Sequence, residues 1–134
     1  MSKVTRFEDL KCWQSSRELV KQIYLICETG KFAKDYDTKS QLRRAALSSM
    51  NNIAEGFGKF SNKEFIRYLD IAQSSALEVK SILYVLLDMN YLMKEQIDDL
   101  HLLVDNTRSL TLALIKYLRS KEAIPGTVTA KPHQ

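Results

Sequence analysis

Apolar side chains recur along the second half of the chain at alternating spacings of three and four residues, the period of one face of an α-helix. The first such stripe contains Phe65, Leu69, Ala72, Ala76, Val79, Leu83 and Leu86, and the second contains Ile97, Leu100, Val104, Thr107, Thr111, Leu114 and Leu118. This spacing is typical of helices that pack side by side, as in a coiled coil. We therefore expect two long helices, over about 61–89 and 94–120.

Two more helices are predicted in the first half, over about 9–29 and 38–57. Their stripes contain Leu10, Trp13, Val20, Ile23 and Cys27 in the first, and Leu42, Ala46, Ser49 or Met50, Ile53 and Phe57 in the second. Gly30 is expected to end the first helix. The segments Thr38-Lys39-Ser40-Gln41 and Ser61-Asn62-Lys63-Glu64 have the spacing of capping boxes, which begin helices. The loop 31–37 carries Phe32 and Tyr36, which we expect to fold over the end of the protein.

The distribution of proline supports an all-α fold. Both prolines, Pro125 and Pro132, lie in the last ten of 134 residues, and helix interiors exclude proline. Four helices joined by short loops predict a single all-α domain over residues 1–122, an antiparallel up-down-up-down four-helix bundle. Residues 123–134 lack periodicity, and we expect a disordered tail there.

Composition limits the cellular setting. The chain has no apolar run long enough for a membrane span, and its first residues lack the apolar core of a signal peptide, so we expect a cytoplasmic protein. Cys12 and Cys27 lie on one predicted helix, about 22 Å apart at 1.5 Å per residue. That separation predicts two reduced thiols and no disulfide between them.

Two stretches are more apolar than a lone bundle requires. Residues 82–87 and 112–115 are apolar on every side of their helices, and a helix that is apolar all round is buried all round. We therefore expect side chains such as Tyr84, Val85 and Leu112, together with Ile115, to contact a second copy in a homo-oligomer. The alternative is that loops or bundle ends of the same chain cover them.

No motif for catalysis or cofactor binding is found. Neither a Glu-x-x-His pair for a di-iron site nor a Gly-x-Ser-x-Gly elbow occurs. His101 is interpreted as a surface histidine. The sequence thus predicts a protein that is not an enzyme and uses no cofactor or metal.

Polar residues on two predicted helices form a candidate network. Asn52 and Glu55, with Ser48, share one face of the second helix, and Glu78 lies on the third helix near Ser74 and Ser75. We expect a hydrogen-bond network between helices or between subunits. A carboxylate pair for acid–base chemistry or cation binding is the alternative.

Positive charge is concentrated in the first half of a chain whose net charge is +4. Residues 1–67 carry 13 Lys or Arg and 8 Asp or Glu, whereas residues 68–134 carry 7 and 8. Lys59, Lys63 and Arg67 alternate with Phe57 and Phe60, a pattern that suits a nucleic-acid backbone and its bases. The candidate nucleic-acid residues are these three together with Arg43 and Arg44. A plain solvated face is the alternative.

Five segments of the chain have a specific sequence: Phe7-Glu8-Asp9-Leu10-Lys11-Cys12-Trp13-Gln14, Gln41-Leu42-Arg43-Arg44-Ala45-Ala46, Asn52-Ile53-Ala54-Glu55-Gly56-Phe57-Gly58, the run 61–72, and Ser75-Ala76-Leu77-Glu78. Together they resemble one bacterial protein family, encoded in intervening sequences of 23S ribosomal RNA genes. Asn90-Tyr91-Leu92 occupies the place of the family's Gly-Tyr-Leu turn, and Ala33 replaces a proline usual in the family. The resemblance covers roughly residues 7–119.

The resemblance implies a small antiparallel bundle that assembles into a ring-like homopentamer. It also implies relatives that serve as accessory proteins of the reverse transcriptase in diversity-generating retroelements, where a basic pentamer engages nucleic acid and the enzyme. Two hypotheses follow. The first is a non-enzymatic oligomer that binds RNA or DNA through its basic surface, and the second is a scaffold or accessory subunit that binds a protein partner without nucleic acid.

Overall fold

The computed structural model describes residues 3–122 and contains four α-helices within them. They are α1 (Lys11–Ile26), α2 (Tyr36–Phe57), α3 (Asn62–Asp88) and α4 (Lys94–Glu122), with short 3-10 helices at Phe7–Asp9 and Gly30–Lys34. Consecutive helices pack against each other, and α4 returns to α1. The predicted antiparallel four-helix bundle is thereby confirmed. The segment 123–134, for which a disordered tail is predicted, lies outside the described residues.

The core follows the predicted stripes of α3 and α4. All fourteen stripe positions are buried, including Thr107 and Thr111. The two threonines satisfy their hydroxyls within α4, because Thr107 Oγ1 donates to the Leu103 carbonyl at 2.8 Å and Thr111 Oγ1 to the Thr107 carbonyl at 2.7 Å. A polar side chain can thus occupy a core position without an unpaired group.

The predicted bounds of α1 and α2 are wrong by two to three residues at several ends. α1 ends at Ile26 rather than near Thr29, because the Thr29 hydroxyl and amide both bond to the Ile26 carbonyl in a tight turn. α2 begins at Tyr36, and its N-cap is Asp35, whose carboxylate accepts from the Thr38 amide at 3.2 Å. The capping box predicted at Thr38 is therefore incorrect. Asp35, three residues earlier, already caps the first turn of α2.

One of the two hydrogen bonds of the capping box predicted at the start of α3 is present. Ser61 Oγ accepts from the Glu64 amide at 3.1 Å. The Glu64 carboxylate pairs instead with Arg67, at 3.1 Å. At the start of α4 only the other half of a capping box is present. There the Gln96 side-chain oxygen, Oε1, accepts from the Met93 amide, and no serine caps the helix.

The bundle end that contains the α3–α4 turn is closed by Phe32, as predicted, whereas Tyr36 is exposed. The Phe32 ring packs on Tyr91 with centroids 5.2 Å apart, and the Tyr91 hydroxyl donates to Asp35 at 2.9 Å. The hydrogen bond from the Thr38 amide, together with this one from Tyr91, lowers the pKa of Asp35. The α3–α4 turn is thus tied to the start of α2.

Asn90 ends α3 in the left-handed backbone region, with φ of 57°. The Tyr91 amide reaches back to the Leu86 carbonyl and the Asn90 amide to the Leu87 carbonyl, a Schellman motif. Asparagine tolerates this conformation better than other residues with a side chain. Asn90 can therefore occupy the position where the resemblance implies a glycine.

Helices α2 and α3 approach each other closely at Gly56. A methyl group built on Gly56 would lie 2.6 Å from Tyr68 Cβ and 3.0 Å from a Phe65 ring carbon. A Cβ contact of 2.6 Å essentially never occurs in folded proteins, so the packing of α2 against α3 requires glycine at this position. The contact fixes the turn that follows, residues 58–61, relative to the start of α3.

Parts of both apolar stretches remain exposed in the single chain. Tyr84, Val85 and Leu112 are 52%, 43% and 42% exposed, but Ile115 is only 3% exposed. The prediction that Ile115 is exposed for contact with a second copy is therefore wrong. Ile115 lies four residues after Thr111 and three before Leu118, so it faces the core together with them.

Among the helices of residues 3–122, none combines the length and the apolar character of a membrane span.

We predict that Gly56→Ala destabilises the protein by about 1–3 kcal/mol, the range for an overpacked core. The added methyl group must displace Tyr68 or Phe65. Chemical denaturation followed by circular dichroism measures the change. Gly58→Ala is the matched control, because the nearest atom to its methyl group would be the Glu55 carbonyl oxygen at 3.4 Å. Equal stability of the two variants would contradict the close contact.

Candidate nucleic-acid interface

The antiparallel topology brings three basic segments to one end of the bundle. The start of α1, the α2–α3 turn and the end of α4 share one apolar cluster, which includes Leu10, Phe57, Phe65 and Leu118. We name this the basic end. Its basic residues are Lys3, Arg6, Lys11, Lys59, Lys63, Arg67, Lys116, Arg119 and Lys121. All of them are exposed except Lys59, which is half-buried.

The two ends of the bundle differ in charge. Residues 3–11, 55–67 and 116–122 at the basic end carry nine Lys or Arg against five Asp or Glu. Residues 26–39 and 86–99 at the opposite end carry four against seven. A polyanion is therefore attracted to the basic end and repelled from the other.

Lys59 and Arg67 both lie against the ring of Tyr68. The Lys59 ammonium is 4.9 Å from the ring centroid and the Arg67 guanidinium carbon is 4.7 Å from it. Arg67 also donates to Glu64, and this hydrogen bond lowers the pKa of Glu64. The two cations are thus held at defined positions beside Lys63, which is exposed on the first turn of α3.

The structure separates Arg43 and Arg44 from the other predicted nucleic-acid residues. Arg43 lies fourteen residues before the end of α2, about 21 Å along the helix axis. Its guanidinium packs on the ring of Tyr24 from α1, 5.7 Å from the centroid. Arg44 is exposed on the same part of α2. The five predicted residues therefore form two groups.

Sequence reasoning missed the basic residues that α1 and α4 bring to this end. Lys116, Arg119 and Lys121 lie more than fifty residues from Lys59 along the chain, so charge counts along the sequence do not join them. The predicted up-down-up-down order already implied that the end of the fourth helix meets the junction of the second and third. Combining topology with charge would have found them.

Only part of the predicted polar network forms, around Ser48 and Asn52. Ser48 Oγ and Ser75 Oγ lie 2.8 Å apart, linking α2 to α3, and Asn52 Nδ2 donates to the Ser48 carbonyl and hydroxyl at 2.8 and 3.1 Å. Glu55 and Glu78 are exposed and take no part in these bonds. A paired-carboxylate site therefore does not form from this network.

We predict that Ser48→Ala lowers the free energy of unfolding by about 1 kcal/mol, because a hydrogen bond between helices is lost. Glu55→Gln and Glu78→Gln should change it by less than about 0.5 kcal/mol, as for other surface positions. Denaturant titrations of the three variants give the values. A large loss from either glutamine variant would mean that the carboxylates contribute to the packing of α2 on α3.

His101 lies against α3 rather than on an open surface. Its ring packs on Tyr84 with centroids 4.7 Å apart, and both ring nitrogens are buried without a hydrogen-bond partner in the described chain. Burial, with a contribution from Lys80, lowers the pKa of His101. The interpretation as a surface histidine is thus incorrect in part. No cluster of three or more His, Cys, Asp or Glu that could hold a metal occurs within residues 3–122.

Both cysteines are buried and unpaired, as predicted. Burial raises the pKa of the Cys12 thiol to about 12, so the reactive thiolate is scarce at neutral pH. Cys12 borders an apolar cleft of about 360 Å³ that lies between α1 and α4 and is also lined by Val4, Leu110 and Tyr117.

The fold and the basic end define a class of protein, an all-α bundle with charge concentrated at one end. The family model of the 23S rRNA-intervening sequence protein matches residues 8–113, and the chain belongs to this family. The chain is similar to a protein of unknown function from the S23 ribosomal protein family of Bacteroides thetaiotaomicron. The two chains are 25% identical in sequence, and the crystal structure of that protein superposes on this fold with a TM-score of 0.73. The match covers 78% of this chain and 95% of that one. No curated protein matches the sequence.

Proposed function

We propose that this protein is a non-enzymatic homo-oligomer that binds RNA through its basic end. The observation that carries the proposal is the convergence of three separate chain segments, with nine basic residues, on one end of the bundle. Lys and Arg arranged on one face neutralise phosphates and release counterions, which supplies most of the affinity for a nucleic-acid backbone. The family name points to ribosomal RNA as the first ligand to test.

Self-association is supported by the apolar side chains that the bundle leaves exposed. Tyr84 and Val85 on α3, and Leu112 on α4, lie away from the core. Exposed apolar side chains on neighbouring helices are typical of protein–protein contacts. If copies associate along these helices in a ring, the bundles run side by side and their basic ends face the same way. A ring, pentameric as the resemblance implies, then presents several copies of the basic end to one RNA.

We predict that reversing charge at the basic end weakens RNA binding at least tenfold. The variant Lys59→Glu/Lys63→Glu/Arg67→Glu should also reduce the slope of log affinity against log salt by about 2, since each phosphate contact on a single strand contributes about 0.7. Fluorescence anisotropy with a labelled fragment of ribosomal RNA measures both. The matched control is Lys31→Glu/Lys34→Glu/Lys94→Glu, which changes net charge equally at the opposite end.

Equal loss in the two triple variants would indicate a general effect of net charge and contradict a defined basic site. No binding by the wild-type chain at low salt would overturn the RNA proposal. A protein partner that still binds the basic-end variant would favour the second hypothesis, a scaffold or accessory subunit such as one for a reverse transcriptase.

We predict a mass above the 15.4 kDa of one chain when the protein is measured by light scattering at micromolar concentration. Val85→Glu and Leu112→Glu should each shift the mass toward one chain, because a charge buried at an interface without a partner is costly. Leu25→Glu, at an exposed apolar position on α1, serves as control. A wild-type mass equal to one chain would contradict the oligomer.

A further inference from the structure

Phe60 is the most exposed large apolar side chain in the described part of the chain. It lies in the α2–α3 turn of the basic end and is 89% exposed. Its sequence neighbours include Lys59 in the same turn and Lys63 on the first turn of α3, and Lys63 is exposed. A phenylalanine at this position contributes little to the core, since the hydrophobic effect rewards only the surface that is removed from water.

The turn that carries Phe60 is held on both sides. Before it, the Gly58 amide bonds to the Glu55 carbonyl and the Lys59 amide to the Gly56 carbonyl. After it, Ser61 caps α3. Below it, the rings of Phe57 and Phe65 pack edge to face with centroids 5.9 Å apart. The backbone that carries the ring is thus fixed to the bundle, so little ordering is needed before it binds a ligand.

Tyr68, the second aromatic ring near these cations, is less exposed than Phe60. Tyr68 is half-buried and lies against both Lys59 and Arg67, so side chains of the same protein already occupy its surroundings. Phe60 is 89% exposed, and its sequence neighbours Lys59 and Lys63 suit phosphates. An unpaired nucleotide offers the complementary pair of groups, a flat base and a negative phosphate.

We propose that Phe60 is a base-stacking residue and that the basic end takes single-stranded RNA. An unpaired base stacks on the Phe60 ring while flanking phosphates bind Lys59 and Lys63. In a duplex the faces of the bases are stacked on one another, and the ring has no base face to contact. The inference rests on the proposed function, because it names the class of RNA that the same site binds.

The test compares a labelled oligouridine with the duplex formed by the same strand and oligoadenosine, using the full chain and fluorescence anisotropy. Phe60→Ala should weaken binding of the single strand about tenfold, in the range for one stacked base. Binding of the duplex and the salt dependence should stay as in the wild type. Phe60→Trp should retain the affinity, and its added fluorescence, compared with the Trp13 background of the wild type, should be quenched by the single strand.

Met93→Ala is the matched control, an exposed apolar position at the opposite end, and should bind both RNAs as the wild type does. If Phe60→Ala binds the single strand as tightly as the wild type, or loses the same factor on both RNAs, the stacking inference is overturned. In that case a loss in the Lys59→Glu/Lys63→Glu/Arg67→Glu variant still supports RNA binding through phosphates. If that variant keeps its affinity as well, the proposed function fails too.

Discussion

The close approach of α2 and α3 at Gly56 is the contact on which the candidate site depends. Glycine has no side chain there, so the two helix backbones come near enough for Tyr68 to pack over α2. Tyr68 in turn is the ring against which Lys59 and Arg67 lie. A larger residue at 56 would separate the helices and also move the cations. Packing and charge arrangement are therefore parts of the same contact.

The core of this protein was predictable because helical periodicity records burial directly. Every stripe position of α3 and α4 is buried, since a side chain three or four residues along a helix returns to the same face. Ile115 shows the limit of counting apolar runs, because the run 112–115 contains both an outward Leu112 and an inward Ile115. The phase of each residue relative to the stripe, rather than the run itself, decides which is buried.

Helix ends were less predictable, because they depend on competition between nearby polar groups. Thr38 and Asp35 both precede plausible first turns of α2, and the aspartate caps the helix. Asp35 also accepts a hydrogen bond from Tyr91, which lies more than fifty residues away. Contacts of this kind arise only in the folded chain. The same is true of the candidate site, where Lys59 and Arg67 were predicted but Lys116 and Lys121 were not.

The uneven charge along the bundle gives the molecule an electric dipole parallel to its long axis. Such a dipole turns the protein in the field of a polyanion before the two touch, so that encounters begin with the basic end. Orientation of this kind raises the association rate more than the final affinity, and it weakens as salt screens the field. In an assembly of parallel bundles the individual dipoles add, which extends the same effect to a larger particle.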